Sequence, residues 1–204
     1  GSGCLLETRT FGLAHEPMVQ ESIAAGSDVT MFSGDKLLGG PQCGIIAGKA
    51  GPLELLRRHP LARALRVDRM TIAALDATLR SYVEGRETSE IPVWEMLGRD
   101  LASLKRRARR WAAAAGEAGA VVRSRSMVGG GSLPGEGLAT WCASIRPPGG
   151  PEALAKALRK GDPPVVARIE DDAVMLDPRT VGPGDAGHVA TAIGKALQVA
   201  PRAL

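Results

Sequence analysis

A lysine set in a glycine-rich loop between two short apolar runs constrains this chain more than any other feature. Val29-Thr30-Met31-Phe32 and Gly44-Ile45-Ile46-Ala47-Gly48 read as strands. Ser33-Gly34-Asp35-Lys36-Leu37-Leu38-Gly39-Gly40-Pro41-Gln42 joins them. A lysine directly after a buried strand is costly unless something uses it. Desolvation lowers its pKa and frees the amine lone pair, which suits it to form a Schiff base with an aldehyde. The glycines beyond it let the backbone adopt positive φ and approach a bound group closely. A solvated turn lysine is the plain alternative. A phosphate-gripping P-loop is a poorer one, because Gly-Lys-Ser/Thr is absent.

The rest of the chain alternates helices with short strands. Residues 16–26 read as a short helix with Pro17 at its start and Gly26 past its end. Pro52 opens a second short helix that ends near His59-Pro60. Asp68 to Glu84 reads as a long helix, with Met70, Ala73, Ala74, Ala77 and Val83 on a helical period and Gly85 as its stop. After a polar linker (Gly85 to Glu90), Trp94, Leu97, Leu101, Leu104, Ala108 and Trp111 recur at steps of three and four. That pattern predicts one helix from Pro92 to Gly116 with a core-facing stripe. Strands are predicted at 120–127, 138–145, 164–169 and 173–177, with helices at 151–160 and 184–198 and a tight turn at Glu170-Asp171-Asp172. A small open sheet with helices packed on it, an α/β sandwich, fits this order.

Length and composition bound the rest. The 204 residues, 44% of them hydrophobic and 24% charged, can bury one good core or two small ones. The chain shows no apolar run of bilayer length and no charged-then-apolar secretory layout, which points to the cytoplasm. Cys4, Cys43 and Cys142 are far apart and lack paired metal spacing, so they read as reduced thiols. Three histidines make a histidine-rich metal site a poor reading, and no metal is expected. Aromatic content of 3% argues against a base-stacking surface. The basic excess is concentrated between Arg99 and Arg125, with eight basic residues against Asp100 and Glu117. Lys105, Arg106, Arg107, Arg109 and Arg110 fall mostly opposite the tryptophan stripe. Such a face is most simply a solubilising surface, and contact with nucleic-acid phosphate is the second reading.

The longer string Met31 to Gly48 resembles the cofactor-lysine segment of bacterial selenocysteine synthase, the L-seryl-tRNA(Sec) selenium transferase family. The resemblance continues through Pro60-Leu61-Ala62-Arg63-Ala64-Leu65-Arg66-Val67-Asp68, Gly129-Gly130-Gly131-Ser132-Leu133-Pro134-Gly135 and Ala167-Arg168-Ile169-Glu170-Asp171-Asp172. It implies the end of an aspartate-aminotransferase-type (fold type I) pyridoxal-phosphate domain over 1–67. A connecting helix and linker would follow at 68–89, then a small C-terminal α/β domain at 90–204. It also implies a chain corresponding to the C-terminal portion of a protein about twice as long, with Gly1-Ser2-Gly3 native rather than a vector remnant.

The implied activity converts seryl-tRNA(Sec) to selenocysteinyl-tRNA(Sec) with selenophosphate, through a dehydroalanyl intermediate. Lys36 would hold pyridoxal 5'-phosphate and move protons at the seryl Cα. Ser33, three residues earlier, would place a hydroxyl on the cofactor phosphate, or is a plain turn serine. Arg63 and Arg66, three apart on a helix, would share a face and clamp the selenophosphate anion. Asp35 is read as a loop residue; the carboxylate partner of the pyridine nitrogen would lie upstream of Gly1. The 129–135 loop reads as a flexible turn near the active site or a subunit contact, and Cys43 as a packing variant of the family's usual alanine. The family assembles as a homo-oligomer. Two alternatives remain at this stage: a β-eliminating lyase acting on a free amino acid, and a truncated, non-catalytic RNA-binding or assembly module.

Overall fold

The structure, a computed structural model, describes residues 1–129 and 131–199, the side chain of Val199 excepted. Gly130, in the glycine-rich loop, lies outside them. The chain forms two compact units, Gly1–Gly98 with Met127–Gly137, and Arg99–Ser126 with Leu138–Leu204.

The first unit is built on a two-stranded antiparallel ribbon, β1 (Val29–Ser33) and β2 (Gly44–Gly48), in register from Val29 opposite Gly48 to Ser33 opposite Gly44. Around it lie α1 (Val19–Ala24), α2 (Ala50–Arg58), α3 (Pro60–Ala64), α4 (Arg69–Val83), α5 (Glu87–Glu90) and α6 (Pro92–Leu97). Helix α1 is shorter than its sequence signals suggest. The Glu21 carboxylate accepts from the Met18 N–H at 2.8 Å, which fixes the cap at Met18. Asp68 caps α4 by accepting from the Thr71 N–H at 2.8 Å. The core of this unit gathers Cys4, Leu37, Leu38, Ile91 and Trp94, all nearly inaccessible to solvent.

Two expectations change in this unit. The apolar stripe of α4 faces outward: Met70 is 83% and Val83 87% exposed, and the alanines between them are exposed as well. Its less exposed side is Thr71, Leu75, Thr78, Ser81 and Tyr82. Periodicity identifies a stripe without saying whether the chain holds anything to cover it. The presumed linker contains the one-turn helix α5, braced by Arg86 bonded to Glu84 and Glu90.

The second unit contains α7 (Leu101–Ala114), β3 (Gly119–Met127), β4 (Gly137–Ile145), α8 (Pro151–Lys160), β5 (Arg168–Glu170), β6 (Ala173–Leu176) and α9 (Ala186–Val199). Its sheet runs β3-β4-β6-β5, with β6 antiparallel to both neighbours. Asp171 and Asp172 turn β5 into β6 with φ of 50° and 56°, a two-residue turn with both central residues left-handed, which asparagine, aspartate and glycine tolerate best. Ile145, Leu154, Leu158, Val174 and Ile193 bury one core that joins the sheet to the helices. Trp111 completes it and donates its indole N–H to the Ala186 carbonyl at 2.9 Å.

The single helix predicted from Pro92 to Gly116 is two helices, α6 and α7. Gly98 ends the first, and Asp100 starts the second by accepting from the Ser103 N–H at 2.8 Å. The apolar steps bridged a real break because an aspartate N-cap and a glycine stop leave the spacing of the stripe intact. Trp94 therefore belongs to the core of the first unit and Trp111 to that of the second.

A buried polar cluster closes one end of the second sheet. The Asp177 carboxylate accepts from Ser126 Oγ at 2.6 Å, Thr140 Oγ1 at 2.9 Å and the Arg179 N–H at 2.9 Å. The Arg179 side chain, in a residue 5% exposed, donates to the Ala139 carbonyl at 2.7 Å and to Ser126 Oγ at 3.0 Å. Burial lowers the Arg179 pKa and the Asp177 charge opposes that shift. Replacing Asp177 removes the countercharge beside a buried guanidinium and the acceptor of three hydrogen bonds. Asp177→Ala is therefore expected to destabilise the chain by about 3 kcal/mol, read as a lower urea midpoint at unchanged slope.

Candidate functional site

The loop between β1 and β2 is held from three directions. The Gly34 N–H donates to the Cys43 carbonyl at 2.9 Å, and the Gly40 N–H to the Gly34 carbonyl at 2.8 Å. The Leu37 N–H donates to the Ser2 carbonyl at 3.0 Å, tying the loop to the first residues of the chain. Gly34 admits no side chain: a Cβ there would stand 2.5 Å from the Pro41 carbonyl oxygen and 2.6 Å from Cys43 Sγ. Gly39 has a φ of 74°, and a Cβ on it would overlap Ile91. Leu37 and Leu38 then drive into the core, 2% and 0% exposed.

Lys36 lies immediately before that anchor and is exposed. The expectation of a buried lysine is corrected here: β1 belongs to a two-stranded ribbon, and Met31 on it is 65% exposed. What encloses the lysine is a second glycine loop. A Cβ on Gly131 would stand 3.1 Å from Lys36 Cε, 3.2 Å from Cδ and 3.5 Å from Cγ, so the backbone at Gly131 packs along the aliphatic stem. Lys36, Gly39, Gly40, Pro92, Gly131 and Ser132 are among the residues lining a cavity of about 440 Å³. Gly131 and Ser132, from a loop whose role the sequence leaves open, thus border the cavity that the lysine lines.

Tyr82 and Trp94 hold the far side of the loop, and sequence reasoning passed over both for this role. Tyr82 Oη lies 2.9 Å from the Leu38 carbonyl oxygen and 3.3 Å from that of Leu37. It also accepts from the Trp94 indole N–H at 2.5 Å. Helix α4 is in this way hydrogen-bonded through Tyr82 to the two residues that follow Lys36, and α6 to Tyr82 itself. The one available signal was that Tyr82 is the chain's single tyrosine.

The remaining sequence candidates are placed less closely. Ser33 ends β1 opposite Gly44, half-buried and outside the residues that line the cavity. Arg63 is on α3, but that helix stops at Ala64, so Arg66 lies in the irregular segment beyond it and the two do not share a helical face. Both are exposed, and neither makes a hydrogen bond or ion pair among the described residues. Cys43 packs its sulfur against Gly34, and all three cysteines are free thiols. Burial pushes the Cys4 thiol up to about 11, which leaves it protonated and unreactive at neutral pH. Among the described residues no cluster of histidine, cysteine and acidic groups is arranged to hold a metal, and no helix is long and apolar enough to cross a membrane.

Burial pushes the Tyr82 phenol up from 10.0 to about 12. The unfolded chain loses this proton near pH 10, and the folded chain holds it to about 12. Stability from the buried neutral phenol is thus complete below about pH 10 and is lost as pH rises toward 12. With one tyrosine in the chain, tyrosinate absorbance reads this site directly, and a folded-state midpoint near 10 would contradict the burial. Tyr82→Phe leaves the Trp94 N–H and the Leu38 carbonyl without this partner and should cost about 1–3 kcal/mol in urea unfolding.

Three comparisons bear on this site. The family model described as L-seryl-tRNA selenium transferase matches residues 1–182. Curated L-seryl-tRNA(Sec) selenium transferases are similar across most of the chain. The protein from Solidesulfovibrio magneticus is 45% identical over 97% of this chain and 44% of its own length. That from Moorella thermoacetica is 44% identical over 97% and 44%, and that from Hyphomonas neptunium 44% identical over 91% and 41%. The chain therefore spans less than half the length of these relatives. Among solved structures, a D-glucosaminate-6-phosphate ammonia-lyase superposes with a TM-score of 0.55 at 20% identity, over 87% of this chain and 46% of the other. At that identity the likeness concerns the mixed α/β fold alone.

Proposed function

Because the chain belongs to the L-seryl-tRNA selenium transferase family, we propose that it carries the cofactor lysine, Lys36, of an enzyme that converts seryl-tRNA(Sec) to selenocysteinyl-tRNA(Sec) with selenophosphate. The observation that carries this reading is Lys36 on a pinned loop, its stem against Gly131 and its side chain lining the cavity. On this reading the first 67 residues end a fold-type-I cofactor domain, 68–89 connect, and 90–204 form a small α/β sandwich domain. The enzyme would be cytoplasmic and homo-oligomeric.

The residues present fit pyridoxal phosphate. An accessible amine suits its aldehyde, and Lys36, Gly39, Gly40 and Gly131 border a cavity of about 440 Å³ that would receive the cofactor. The bound cofactor supplies an electron sink for the charge that develops when the seryl Cα loses its proton. Lys36 takes that proton and returns it to the departing hydroxyl, which leaves as water as the Cβ–O bond breaks. The selenium of selenophosphate then adds at Cβ, Lys36 returns a proton to Cα, and water cleaves the P–Se bond to release phosphate. The Ser33 hydroxyl, outside the cavity lining, would hold the cofactor phosphate. Arg63 and Arg66 hold the selenophosphate anion from separate backbone positions, which lets two guanidinium groups approach it from different directions. Tyr82 and Gly131 fix where the amine stands.

Incubation with pyridoxal phosphate, reduction with borohydride and mapping of the adduct test this reading. The expected label is on Lys36, absent in Lys36→Ala. A label on Lys49 or Lys105 in place of Lys36 would overturn it. Gly131→Val crowds the stem and should slow labelling of Lys36 by about tenfold or more without removing it.

A further inference from the structure

We propose that the second unit carries a cationic surface for the phosphate backbone of RNA, built from Lys105 and Arg123 on Trp141 and from Arg106, Arg109 and Arg110 of the same helix as Lys105. RNA as the partner rests on the proposed function; the surface itself rests on the geometry that follows.

The basic segment between Arg99 and Arg125 divides in two once its side chains are placed. Some of its cations belong to the interior. Arg99 donates to the carbonyls of Arg179 and Val181, each at 2.6 Å, and Arg107 donates to that of Val181 at 2.6 Å. The other group faces out. Arg106, Arg109, Arg110 and Arg123 are exposed and Lys105 is half-buried. None of these five makes an ion pair or hydrogen bond among the described residues. Asp100, the nearest acid in sequence, is engaged in capping α7. A solubilising face usually intersperses both signs; every charged residue within α7 is basic.

Trp141 distinguishes the patch from a merely charged helix. Lys105 Nζ lies 4.1 Å from the centre of its ring and the Arg123 guanidinium carbon 5.2 Å. The ring thereby restrains two long side chains, one from α7 and one from β3, and lowers the entropy lost when they engage an anion. Positions 105, 106, 109 and 110 lie on one side of α7 and repeat at one-turn spacing, about 5–6 Å between Cβ atoms. Arginine dominates, and its planar fork matches phosphate oxygens two at a time. Since cations already occupy the ring of Trp141, the contact is to the backbone, and binding is indifferent to base sequence and to the aminoacyl group.

The test is filter binding of an unacylated tRNA transcript across salt concentrations. The wild-type chain should show a log–log salt slope of about −3 to −4, and Arg106→Gln, Arg109→Gln, Arg110→Gln combined should flatten it by about two to three units with a ~10–100-fold loss of affinity at low salt. Lysine at the same three positions should keep the slope, which carries the test if the glutamine variant unfolds. Removing three arginines of the first unit, Arg57, Arg58 and Arg80, should leave the slope unchanged. An equal loss from that control, or a wild-type slope under one unit, overturns the proposal. So does equal binding of polyglutamate, which would assign the surface to an acidic peptide. Lys36 labelling is scored separately: RNA binding without the label fails the cofactor reading alone, and the label without salt-dependent RNA binding fails this surface alone.

Discussion

The position of Lys36 depends on the burial of the two residues after it. Leu37 and Leu38 are held in the core by apolar contact, and their carbonyls fall against the Tyr82 hydroxyl, itself fixed by the Trp94 indole. A surface loop ordinarily gains little from burial and moves freely. This one pays an anchor's worth of desolvation so that the residue before the anchor has a defined origin. The lysine can then be exposed and still be placed, because the restraint acts on its backbone and on its stem, and the amine stays free.

The second unit uses the opposite arrangement, in which charge itself is buried. Arg179 is almost inaccessible, and the cost of burying it is offset by partners that include Asp177, Ser126 and backbone carbonyls. These partners come from β3, β4 and the segment after β6, strands far apart in sequence. An apolar residue at 179 would fill the volume without specifying which strand ends meet. The guanidinium, with several directed donors, specifies them.

Local chemistry was legible in the sequence, and partners were not. The β1–β2 ribbon, the aspartate turn at 171–172 and helix α8 follow from short-range signals that tertiary contacts do not oppose. The long helix through 98–100 was misread because its apolar period survives a break that two capping residues make. Arg63 and Arg66 were placed on one helical face because a three-residue spacing says nothing about where a helix stops; Leu65 ends α3 between them. The outward stripe of α4 shows the same limit from the other side. Tyr82, the residue that matters most on that helix for Lys36, sits among its polar positions, and no periodicity would have singled it out.

Two glycine loops meet at the lysine, and their requirements differ. Gly34 and Gly39 are needed for the loop to close, since a side chain at either would collide with backbone or with the core. Gly131 is needed for what lies beside it: its neighbour is a flexible lysine stem, which can shift by tenths of an ångström. A substitution at the first pair is therefore a folding defect, whereas one at Gly131 changes where a nitrogen atom points. That separation makes the position of Lys36 adjustable independently of the stability of the unit that carries it.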